Sequence, residues 1–66
     1  MTEMWTVVHL TQEETAARSL ALALERNNLL SRVRPVSRQE GETSYEVLVP
    51  ETEVSAALEV IIDIGL

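Results

Sequence analysis

Strand-like and helix-like patterns of apolar residues succeed one another along this chain. Met4-Trp5-Thr6-Val7-Val8-His9-Leu10 is rich in β-branched and aromatic residues and predicts a first strand. Polar Thr11-Gln12-Glu13-Glu14 closes it. Thr11 followed three positions later by Glu14 has the form of a capping box, in which hydroxyl and carboxylate satisfy orphan amides at a helix start. A helix is expected from about Gln12 to Arg26. Ala16, Ala17, Leu20, Ala21 and Leu24 make its apolar stripe, and Glu14 and Arg18 stand four apart on the polar side. Asn27-Asn28 is the expected stop, because Asn tolerates left-handed backbone.

Leu29 to Val36 predicts a second strand, with Leu30, Arg32 and Arg34 on one face and Ser31 and Val33 on the other. Pro35 cannot donate to a ladder, which places it at a sheet edge or just outside. Ser37 to Thr43 is polar with one Gly and suits a hairpin loop. Ser44 to Val49 predicts a third strand presenting Tyr45, Val47 and Val49 on one face. Pro50 ends that strand. Glu51, Thr52 and Glu53 then put acidic charge where a helix dipole favours it. Val54, Ala57, Leu58, Ile61 and Ile62 are the expected core stripe of the second helix, with Gly65 as its stop.

The order β-α-β-β-α predicts an α+β domain. A right-handed crossover joins the first two strands, and the third inserts between them. The expected product is a three-stranded sheet ordered 1-3-2 with both helices on one face, a ferredoxin-like fold lacking its last strand. The missing strand leaves strand one as an open edge, which chains tend to pair or protect.

The runs Thr11 to Leu24, Asn28-Leu29, Val47-Leu48-Val49-Pro50-Glu51, Ala57-Leu58 and Ile61-Ile62 resemble a family of small prokaryotic signal-transducing proteins. The resemblance spans nearly the whole chain and is most specific where the strand Val47-Leu48-Val49 passes through Pro50-Glu51 into an Ala-Leu helix. It implies the same half-ferredoxin fold and a regulatory role like that of PII proteins. It carries over no catalytic residues, and Asn28 stands where that family commonly has Gly.

Composition narrows the function classes. The 66 residues make one domain, and 45% hydrophobic content is that of a globular chain. Five arginines, no lysine and 11 acidic residues leave a formal charge of -6, which disfavours nucleic acid as a partner. There is no Cys and one His, so disulfide or metal staples are not expected, nor is a cofactor. No apolar run approaches a membrane span, and the expected location is the cytoplasm. A domain this small gains most cheaply from a second copy of itself, so a homodimer is expected.

Few residues suggest chemistry. Arg32, Arg34 and Arg38 concentrate three of the five cations and could hold a small anionic ligand; the plainer reading pairs them across the sheet with Glu46. Seven acidic groups between Gln39 and Asp63 match no calcium-loop spacing. His9 is the only acid–base candidate for an enzyme and has no evident nucleophile beside it, which ranks catalysis last. Trp5, Val7 and His9 on strand one, with Leu22, Leu48 and Val60 off the core stripes, make the expected dimer surface. The leading expectation is a non-enzymatic regulatory or interaction module binding a small anion or a protein. The alternative is a structural adaptor that pairs its open sheet edge with a partner.

Overall fold

The middle of the sheet is built from the strand whose run Val47-Leu48-Val49 is buried on both faces. In the computed structural model, which describes residues 4–37 and 41–66, β1 is Trp5–Thr11, α1 is Glu14–Arg26, β2 is Arg32–Ser37, β3 is Thr43–Pro50 and α2 is Val54–Ile64. A 3₁₀ turn, Glu51–Glu53, leads from β3 into α2. The sheet order is β1-β3-β2, and β3 pairs antiparallel with both neighbours. This is the α+β, ferredoxin-like arrangement expected from the pattern of elements. Val47, Leu48 and Val49 are all buried, as a central strand requires.

Both helices cover the same sheet face. Ala17, Leu20 and Leu24 of α1 and Ala57 and Ile61 of α2 close on Val47 and Val49. Val8, Leu29, Val33, Tyr45, Val54 and Val60 pack around that cluster. The molecule is a two-layer slab, only 14 Å through its shortest Cα extent.

Several local details depart from the sequence expectations. The capping box does not form: Thr11 Oγ1 accepts from the Glu13 amide at 3.2 Å, two residues on. Glu13 occupies the N-cap with no side-chain cap bond, and α1 starts at Glu14. The Glu14 carboxylate accepts instead from Arg18, at 2.9 Å from Nη2. The second strand begins at Arg32, not Leu29. Leu29 belongs to the helix stop: Asn28 is left-handed at φ 64°, its amide donates to Glu25 O, and the Leu29 amide donates to Leu24 O. That is a Schellman turn, and Leu29 completes it by packing on the core that holds Leu24. Gly65 ends α2 the same way at φ 84°, with the Leu66 amide on Ile61 O.

The stripe assigned to α2 is corrected most. Leu58 is 44% and Ile62 73% exposed, so neither joins the core. Val60, expected off the stripe, packs against it. The sheet beneath α2 is too narrow to receive the whole apolar surface of this helix.

Candidate functional site

Among the described residues, no helix covers the second face of the sheet. The strand register shows which side chains share it, since directly paired residues point to one side. Trp5 pairs with Pro50, Val7 with Leu48 and Leu10 with Glu46. From the other side, Arg32 pairs with Leu48, Arg34 with Glu46 and Val36 with Ser44. The uncovered face therefore has an apolar half on β1 and a charged half on β2. Val7 is 40% and Leu10 49% exposed there.

A bulge decides the membership of this face. The β1–β3 register shifts between Val7 and His9, so that Val8 is extra and His9 pairs with Val47. Simple alternation would set His9 beside Trp5 and Val7. The bulge turns it to the side of Val47, the helix-covered side, and brings Leu10 onto the uncovered face in its place. Nothing in the residue types of Val7-Val8-His9 announces the bulge, so Leu10 could not be picked out from the sequence.

The cations on this face have partners within the chain. The Arg32 guanidinium lies over the Trp5 ring, 4.3 Å from its centroid. Arg34 donates to Glu46 Oε1 from Nε at 2.9 Å, with Glu46 the more buried partner. Arg38 lies outside the described residues. Arg32 and Arg34 thus share a face, each held by a neighbour.

The expected dimer residues divide three ways. Trp5, Val7 and Leu48 meet on the uncovered face, where Leu48 is 3% exposed beneath its neighbours. Leu22 is exposed on α1, beside a shallow cleft of about 230 Å³ that also involves Arg18, Ala21, Glu25, Ser31 and Val33. His9 and Val60 sit on the helix side.

The two edges of the sheet are unlike. β2 carries Pro35, Arg32 and Arg34, which are devices that discourage an added strand. β1 has no proline and no charged residue. Its inner side pairs with β3 on either side of the Val8 bulge and ends with the Glu51 amide donating to Met4 O at 2.8 Å, while its outer side pairs with nothing among the described residues.

Among the described residues no His, Cys, Asp and Glu side chains gather as a metal site, and no helix is long and apolar enough to cross a membrane. Set against family models, curated proteins and solved structures, the chain matches none.

Proposed function

We propose that this chain is a non-enzymatic interaction module that works as a homodimer. The observation that carries this reading is the amount of apolar surface left uncovered in so small a fold: Val7, Leu10, Leu58 and Ile62 are each at least 40% exposed. Apolar patches and an open strand edge are features that bind polypeptide. A regulatory role is the further part of the proposal, and it rests on the resemblance carried by Val47–Glu51 and Ala57-Leu58. Between a protein and a small anion as the partner, the geometry favours a protein, because an anion would have to displace Trp5 from Arg32 and Glu46 from Arg34.

Light scattering across a dilution series tests the homodimer. The expected mass is twice the 7.4 kDa chain mass. A mass of one chain at every concentration rejects it and leaves the β1 edge for a different protein.

A further inference from the structure

Among the described residues, the outer edge of β1 and one flank of α2 are left without partners. They lie side by side. α1 packs on all three strands as far as β2, whereas α2 packs on β1 and β3; α1 is thus displaced toward β2, and α2 is the helix nearer the β1 edge. Its core residues are Ala57 and Ile61, with Val60 against the core on one flank. Leu58 and Ile62 each follow a core residue by one position, about 100° around the helix, and so lie on the opposite flank. The β1-α1-β2 crossover is right-handed, and α2 returns antiparallel to β3. In that arrangement the position after each core residue turns away from α1, toward the free edge of β1. Glu59 and Asp63, two positions after core residues, are exposed on the side away from the sheet.

We infer that a second copy of this chain fills both vacancies at once, through antiparallel pairing of β1 with β1 about a two-fold axis perpendicular to the sheet. This rests on the homodimer proposed above and specifies its geometry. Strands are spaced about 4.8 Å apart. A helix seated between β1 and β3 therefore lies roughly 5 Å from such an axis. The two copies of α2 then run side by side about 10 Å apart, a spacing at which helices pack. Leu58 and Ile62 of both copies fall in the seam between them. One symmetry operation completes a six-stranded sheet and covers the apolar flank of α2.

Charge supports the same arrangement. Two chains of charge -6 repel, and contact is easiest where each is neutral. Met4 to Gln12 is the longest stretch of the sequence with no Asp, Glu, Lys or Arg, and it contains the whole of β1. The bulge at Val8 interrupts the strand at one position and leaves Trp5–Val7 and His9–Thr11 on either side of it. The β2 edge, with Pro35 and two arginines, offers no equivalent surface.

The test compares two variants with the unmodified chain by light scattering and sedimentation, with circular dichroism to verify folding. Ile62→Glu places a carboxylate in the proposed seam, at a site exposed enough in the single chain to leave its fold intact. Val36→Lys places a cation on the uncovered sheet face at the β2 side, away from the seam, and that face stays open in this dimer. The expected result is a dimer for the unmodified chain, a dissociation constant raised at least about 100-fold by Ile62→Glu, and little change with Val36→Lys. Leu58→Glu repeats the seam test should Ile62→Glu not fold. A dimer that survives both seam variants, or one lost with Val36→Lys, overturns this geometry while the homodimer itself stands. A monomeric unmodified chain overturns both.

Discussion

Arg32 and Trp5 meet across the middle strand: the guanidinium of one edge strand stacks on the indole of the other, 4.3 Å from the ring centroid. Between them runs β3, whose Leu48 pairs with both Arg32 and Val7. This bridge explains how Leu48 is 3% exposed on the face opposite the helices. The aliphatic stem of an arginine and the face of an indole can roof a leucine while the charge stays in water.

Removing the bridge should therefore be felt in stability. Arg32→Ala is expected to cost about 0.5–1 kcal/mol and to lower Tm by a few degrees at fixed protein concentration. Arg32→Lys should cost less. Thermal unfolding followed by circular dichroism measures both, and a red shift of Trp5 fluorescence in the alanine variant would report the exposed indole. An Arg32→Ala chain with unchanged Tm and emission would show that the stack contributes nothing.

The end of α1 gives a second test. Asn28 holds φ 64°, a conformation that disfavours side chains branched at Cβ. Asn28→Gly should be neutral or stabilising by up to about 1 kcal/mol, and Asn28→Val should destabilise by roughly 1–2 kcal/mol. Chemical denaturation would distinguish the two. A valine variant as stable as the parent would contradict the Schellman turn.

The start of α1 gives a third. Glu14 pairs with Arg18 on an exposed surface and does not close a capping box. Glu14→Gln should then cost only about 0.3–0.5 kcal/mol, and the loss should shrink in high salt. A capping glutamine would keep its bond to the backbone, so a salt-independent result with no loss would favour the box.

Two leucines two positions apart on α1 should behave oppositely. Leu24 is fully buried against Val47 and Val49, while Leu22 is 50% exposed. Leu24→Ala is expected to cost about 2–5 kcal/mol, a large share of what a domain of this size has. Leu22→Ala should stay within about 0.5 kcal/mol. Amide proton NMR spectra would show a collapsed or heterogeneous pattern for the first and a native one for the second.

Much of this architecture is legible in the sequence because local physics writes it there. Val47 and Val49 read as the core face of a strand and Ala17, Leu20 and Leu24 as a helix stripe, whereas Leu48, expected on a dimer surface, is buried on the other face of that strand. Asn28 and Gly65 mark the helix ends because few residues accept positive φ. The order of elements with a right-handed crossover then leaves little freedom for the sheet. The candidate surface is less legible, because it depends on relations between distant residues. Apolar residues at helical spacing place Leu58 and Ile62 in the core; how much sheet lies beneath α2 exposes them. Alternation sets His9 beside Val7; a bulge whose register is measured against β3 sends it to the other side and brings Leu10 forward. Arginines in a row suggest an anion site, yet it is the pairing of β2 and β1 around β3 that gives Arg32 to Trp5 and Arg34 to Glu46. Periodicity within a segment reports which residues can be buried, and only the width and register of the sheet decide which of them are.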